Sequence, residues 1–488
     1  VLSAFSGLAS EFETVAGNTG RYARINAGGA TAAISDAVSK TKADTLNGLT
    51  TAKVTLASVA DTYDNLILID GLNSDHVSMA AAAVNVTDAV NKTKVDTLLG
   101  DTTGTVTVDL ITEDSADLIT IGKSDYGEGI GNTKYNRLSL AGADVTVTGT
   151  TNKADALTIQ GYATNSGSVV LQGASGSFTD LEALHNNSEI DISTASLSIT
   201  GTVSKTDLTT ANTYTNKTVT VANTFSGSYT DMTDIYGVRP TEAGGDGVDI
   251  STAAITLTGT IDKDKASTVN GYTNKTVTVQ TLSDTMSKIT DVYGLKPAEG
   301  AVDGVSIAAA AITATSAVSK ANADTLNTYT TGQVTLQSVE DTYDNLILID
   351  GLTTTQVSMA GAAVKVTDAV NKTKVDTLLG DTTGTVTIGI LSEDKTDIQT
   401  IGKNDYAEGI ANTKYNRASL AGATINVSNS VNKTEAEAIE AFLSGSGSVV
   451  LSAFSGLASE FETVAGNTGR YARINAGGAT AAISDAVS

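Results

Sequence analysis

VNKTKVDTLLGDTTGTVTV, Val90 to Val108, carries two periodicities back to back. Its first apolar residues fall at offsets 0, 5 and 8 (Val90, Val95, Leu98), which share one arc of a helical wheel and predict a short amphipathic helix. From Thr105 the period drops to two, Thr-Val-Thr-Val, which predicts a strand with one buried face. The first twelve residues recur letter for letter at Val370 to Asp381, 280 positions on. Lys92, Lys94 and Asp96 return as Lys372, Lys374 and Asp376, at solvated positions where related copies normally drift, so a whole block has been copied.

Working outward, the copying is nested. Val1 to Ser39 is identical to Val450 to Ser488, an offset of 449, and Lys40 to Ala143 is related to Lys320 to Ala423 by the offset of 280. A finer period is marked by lysines at 40, 92, 153, 205, 263, 320, 372 and 433, giving eight units of about 56 residues in one 449-residue period. After every anchor lysine the two apolar helix positions recur, as Ala43 and Leu46, Ala156 and Ile159, or Leu208 and Ala211. A second apolar pair at i and i+3 follows later in the unit, usually with Gly at i+5: Leu66, Ile69 and Gly71; Met232, Ile235 and Gly237; Ile289, Val292 and Gly294; Phe461, Val464 and Gly466. Gly at that place is expected to stop the helix in the left-handed conformation. Between the helices lie alternating runs such as Val145 to Thr148, Thr218 to Val221, Ile255 to Thr258 and Thr276 to Val279.

Each unit therefore reads strand, helix, strand, helix. Short strands that alternate with helices pair in parallel through right-handed crossovers, and an unbroken series of near-equal units stacks. The fold expected is α/β: a right-handed parallel α/β solenoid of about 28 residues per coil, continuous over residues 1–488, with one full period at 1–449 and the start of the next at 450–488. The alternative is a single wide coil of about 56 residues, bent into two faces by long segments such as Val77 to Thr87. Both ends fall in mid-unit, so the natural polypeptide is expected to continue in both directions.

Composition narrows the function. The chain has 54 acidic and 30 basic residues, a net charge of -24, no cysteine and two histidines. Such a surface repels phosphate backbones and anionic lipid, so nucleic acid is not an expected partner. Disulfides, thiolate metal sites and cysteine nucleophiles are excluded. No apolar run reaches the roughly 20 residues that span a bilayer, so no membrane insertion is expected in this segment.

Candidate chemistry is sparse. His76 and His185 occupy non-equivalent positions, and the copy of His76 is Gln356, which argues against a histidine-dependent triad or zinc site. Asp61 and Asp64 recur as Asp341 and Asp344 at a helix start, where negative charge suits the dipole better than acid-base work. No enzyme activity and no obligatory cofactor are expected. GGDGVD, Gly244 to Asp249, matches the opening of a calcium-binding nonapeptide, making Asp246 and Asp249 calcium candidates, although consecutive copies are lacking and a glycine-rich acidic turn reads as well. The anchor lysines form either a solvated first helical turn or a cationic stripe for a neighbouring fibre. NKT at Asn91, Asn216, Asn274, Asn371 and Asn432 fits a glycosylation pattern that arises cheaply in a Thr-rich repeat.

The loops offer a sharper motif. NTKYNR at Asn132 to Arg137 and Asn412 to Arg417 is echoed by NTGRYAR at Asn18 to Arg24. Tyr22, Arg24, Tyr135, Arg137, Tyr415 and Arg417 are thus candidate contact residues, since Tyr and Arg dominate where surfaces meet; the local alternative is that Tyr covers the coil edge and Arg stacks on it. The Thr-Val strands would display a threonine ladder, able to meet ice or sugar edges or simply to stay soluble.

Nested near-identical repeats, an acidic cysteine-free composition, Thr-rich strands and segments such as VADTYDNL (Val59 to Leu66) resemble the giant tandem-repeat surface proteins of aquatic bacteria, including marine cyanobacteria. The resemblance implies an extracellular or cell-surface location and an extended role. The function expected is a structural filament or surface-layer fibre whose partners are identical chains, laterally and end to end. The alternative is an adhesin that binds glycan, ice or another cell.

Overall fold

The computed structural model describes residues 1–123, 134–165, 167–241, 245–298, 301–352, 356–402 and 414–485. Among these, seventeen α-helices alternate with strands gathered into parallel sheets of 13 and 15 strands. Two compact units are formed, Val1–Phe225 with Thr233–Ala253, and Ser226–Met232 with Ala254–Ser488.

Strand pairing sets the length of a coil. In the first unit Thr31–Val38, Val54–Asp61, Ala83–Val90, Val106–Asp114, Asp144–Asn152 and Val169–Gly176 lie side by side in chain order. Ala32 pairs with Val54, Ser58 with Ala83, Val84 with Val106 and Leu110 with Asp144, so partners lie 22 to 34 residues apart. The second unit repeats this at Ile312 with Val334, Ser338 with Ala363 and Val364 with Val386. One strand and one helix therefore complete one coil, about 28 residues on average, and the fold is an α/β solenoid-like stack. The 56-residue coil would separate partners by twice that distance, and the pairing excludes it.

Eight helices begin at the anchor lysines: Lys40–Leu49, Lys92–Asp101, Lys153–Gln160, Lys205–Asn212, Lys263–Asn270, Lys320–Tyr329, Lys372–Asp381 and Lys433–Glu440. The cause is local. The preceding residue is Ser, Asn or Asp, and its side chain accepts from a first-turn N–H, as Ser39 does from Lys42 and Asn91 from Lys94. The two marked apolar positions are buried in all eight helices, Ala43, Leu46, Val95 and Leu98 among them. The Thr-Val strands behave as predicted, with Val106, Val108, Val219 and Val221 buried and Thr107 and Thr220 on the outer face.

The glycine stop does not. Gly71 and Gly466 are right-handed, with φ of -56° and -65°, and Gly237 and Gly294 are not among the positive-φ glycines. Helix Tyr63–Gly71 instead tightens into a 3-10 turn over Leu72–Ser74, so it ends without reversing hand. A further element was illegible: two- or three-residue strands such as Val77–Ser78, Ile190–Asp191 and Gly247–Asp249, which precede the long strand of the unit.

Candidate functional site

The helix starts are tied to the next coil by side chains that the strands deliver. The main-chain N–H of Lys40 donates to Asp61 at 2.8 Å, and Lys92 to Glu113 at 3.0 Å. Lys263 donates to Asp284, Lys320 to Asp341 and Lys372 to Glu393 in the same manner, always 21 residues on. The other helix of the unit is capped from a β-bulge: the long strands slip register between Ile34 and Ala37 and between Val86 and Ala89, and the extra residue re-aims Asp36 onto Ala9 N–H (2.7 Å) and Asp88 onto Tyr63 N–H (2.6 Å). Asp368 serves Tyr343, Ser316 serves Met286 and Asn429 serves Lys395 likewise. Each bond satisfies an orphan donor of one coil with an acceptor from the next, and the carboxylates among them also set negative charge at a helix N-terminus. Partial burial works against ionisation of Asp61, yet hydrogen bonds from Asn65, Lys40 and Thr62 hold its carboxyl below 3.8; Asp341 repeats this.

Tyr135 and Arg137 also turn inward. Tyr135 is only 7 % exposed and its hydroxyl donates to Asp96 Oδ1 at 2.7 Å. Arg137 donates to the carbonyls of Leu99 (2.6 Å), Thr102 and Gly104, the open C-terminal end of helix Lys92–Asp101. Tyr415 and Arg417 repeat each bond, to Asp376 and to Leu379, Thr382 and Gly384. Burial raises the Tyr135 phenol, and its bond to Asp96 carries it to about 12. At Asp376 burial is outweighed by Tyr415, Lys372 and Lys414, which hold the carboxyl at about 2. Tyr22 is half-buried with Arg21 4.8 Å from its ring and Arg24 is exposed, whereas their copies Tyr471 and Arg473 reach back to Glu437 and to the Leu443 carbonyl. Asn132, Asn412 and Gly244, which open the quoted motifs, lie outside the described residues.

The calcium candidates have separate surroundings. Asp249 accepts from Ser251 N–H at 2.8 Å in a turn that Asn26, Asp191 and Asn475 make at the same register, with serine in that role at Ser78, Ser358 and Ser419. Asp246 is exposed. Gly247 has φ +135°, and a Cβ there would lie 2.4 Å from the Val238 carbonyl, which gives this one glycine a steric reason. Acidic triplets occur instead at Glu113, Asp114 and Asp117 and at Glu393, Asp394 and Asp397, with oxygens within 4.8 Å of one another. Glu113 and Asp114 already cap helix starts.

Several of the remaining candidates have structural partners. Lys40, Lys320 and Lys372 pair with Asp44, Asp324 and Asp376 on their own helices, and Lys153 with Asp180 of the next coil. His185 stacks on Tyr214 at 4.0 Å. His76 has φ 120° and its copy Gln356 has φ 102°, so the turn does not depend on imidazole. Asn91, Asn371 and Asn432 are helix caps; Asn216 and Asn274 are exposed. The outer strand rows mix residues, as in Asn85, Thr107 and Ser139 or Lys365, Thr387 and Ser419, rather than forming an unbroken threonine ladder.

Two sets of contacts were missed by sequence reasoning. Buried threonines Thr50, Thr102, Thr215, Thr330 and Thr382 each donate to an alanine carbonyl 20 residues back, at 2.6 to 2.7 Å. A column of pairs also joins the end of one helix to the ninth residue after the next anchor lysine: His185 on Tyr214, Tyr293 on Tyr329 (3.8 Å), Gly122 under the Tyr162 ring, and Gly402 under Phe442. Comparison with protein-family models, with curated proteins and with solved structures gave no match. Among the described residues no helix is long and apolar enough to cross a membrane.

Proposed function

We propose that the chain is a structural repeat protein, part of an extracellular filament or surface-layer fibre that acts through length, stiffness and contacts with identical chains. The observation that carries this reading is where the polar side chains go. Carboxylates at strand ends, bulge residues and the pairs Tyr135–Arg137 and Tyr415–Arg417 bond across coils, and the 280-residue copies repeat these bonds partner for partner. Such investment couples each coil to its neighbours, as an array that transmits load requires. The extracellular setting rests on the resemblance to giant surface proteins.

The test is assembly of the purified chain without added ligand, followed by sedimentation velocity and negative-stain microscopy. Concentration-dependent lateral association supports the proposal. A monomer at every concentration that shows saturable glycan binding overturns it in favour of an adhesin.

A further inference from the structure

The stack of Tyr293 on Tyr329 brings two phenols from successive coils into contact. Tyr293 is the last but one residue of helix Met286–Gly294 and Tyr329 the last of helix Lys320–Tyr329. Their ring centroids lie 3.8 Å apart, with the planes 12° from parallel. Ring quadrupoles disfavour so full an overlap and settle at about 4.5–7 Å, offset or edge-on, so the docking of the two helices holds the phenols closer than ring attraction alone would. A coil can be built without the pair, since the copied block puts Leu49 where Tyr329 stands. Tyr236 and Tyr272 hold the same two register positions one unit earlier.

The surroundings suit a reaction at these rings. Both are half-buried, and an open cavity of about 220 Å³ lies beside them, lined in part by Tyr293, Lys296, Ser306, Thr328 and Tyr329. A small oxidant can therefore reach the pair from solvent. Lys296 Nζ lies 4.1 Å from the Tyr293 ring centroid and donates to the phenol oxygen at 2.9 Å. An ammonium group donates and cannot accept, so the Tyr293 hydroxyl proton is not engaged by it. The chain has no cysteine, so a covalent tie between its coils has to come from other side chains.

We propose that Tyr293 and Tyr329 are a preformed site of oxidative cross-linking, at which a peroxidase-type one-electron oxidant working with hydrogen peroxide joins two coils through a dityrosine bond. Each phenol gives one electron and one proton to the oxidant. The two phenoxyl rings, already face to face, form one carbon–carbon bond between carbons ortho to their oxygens. Each of those carbons then loses its hydrogen as a proton, and a proton returns to the oxygen of the same ring, which restores both phenols. Two electrons and two protons have left the chain, and they reduce one peroxide to two waters. Orientation favours this pair, because groups held in place react at effective molarities that freely diffusing tyrosines do not reach. The tie spans 36 positions and, like a disulfide in the chain-entropy account, removes loop-closure entropy from the unfolded chain. It rests on the coil fold and not on the filament reading, so cross-linking and assembly can fail separately.

The test treats the full chain, dilute enough to suppress contacts between molecules, with a haem peroxidase and hydrogen peroxide, and follows dityrosine fluorescence and peptide mass. The expected product is a monomer lighter by two hydrogens per link, with Tyr293 joined to Tyr329 in a yield at least about tenfold above any tyrosine pair outside this register. Tyr293→Phe keeps a ring in place but removes a phenol, and Tyr329→Leu carries the side chain found at Leu49 in the copied block. Both variants should lose the 293–329 product while other tyrosines still react. No cross-linked monomer, a 293–329 yield no higher than that of other pairs, or links formed only between molecules overturns the proposal.

Discussion

Replacing Asp61 with alanine tests the coil-to-coil caps most sharply. Its carboxylate accepts from Lys40 N–H, Thr62 N–H and the Asn65 amide, each at 2.8 Å, the first belonging to the preceding coil. A hydrogen bond to a charged acceptor contributes about 1.5–3 kcal/mol when water is excluded, and loss of a helix cap costs about 1–2 kcal/mol. Because the site is half-buried, water replaces part of this, leaving a cost of about 2–3 kcal/mol. Amides of helix Lys40–Leu49 that exchange through local opening should then exchange about 30- to 150-fold faster. D341A is an internal replicate, since Asp341 makes the same three bonds to Lys320, Thr342 and Asn345. The folded pKa of both groups is lowered, so their contribution is full above 3.8 and is lost as pH falls through the folded value. Both variants should therefore flatten the acid limb of the stability profile. Less than a threefold change in exchange, or an unchanged acid limb, would refute the reasoning.

Tyr415→Phe should raise the Asp376 carboxyl from about 2 towards 3.8, read by NMR titration, and weaken the stability that this carboxylate supplies above pH 3.8 and loses as pH falls towards 2. Thr102→Val removes the buried donor to the Ala82 carbonyl (2.6 Å) and the acceptor of Gly104 N–H (2.9 Å), and should cost about 2–3 kcal/mol in urea unfolding, while Thr102→Ser should cost less than about 1. Gly247→Ala should destabilise by about 1–3 kcal/mol with no dependence on calcium, because φ is +135° and the Val238 carbonyl occupies the space.

How much of this was legible can be argued from particular residues. The helix starts were, because Lys40 and Lys92 follow a Ser or Asn cap and precede apolar positions at fixed offsets. So were the strands, because Val106 and Val108 alternate with threonine. The glycine at Gly71 misled, since its frequency at helix ends suggests a left-handed stop and only tertiary context decides otherwise. The partners of Tyr135 and Arg137 were illegible for a different reason. Asp96 and the Leu99 carbonyl lie 39 and 38 residues earlier, and periodicity within one coil carries no information on how the next one docks. A faint signal did exist: Asp88 and Glu113 return as Asp368 and Glu393 beside helix starts, which marks positions where charge is needed.

The most direct measurement of the central claim, a stack of near-equal coils tied one to the next, is single-molecule extension of the chain between its ends. The account predicts a series of near-equal force steps, each releasing one or two coils, about 90–100 Å of contour per 28-residue coil. A single cooperative event that releases the whole of either unit at once would contradict it.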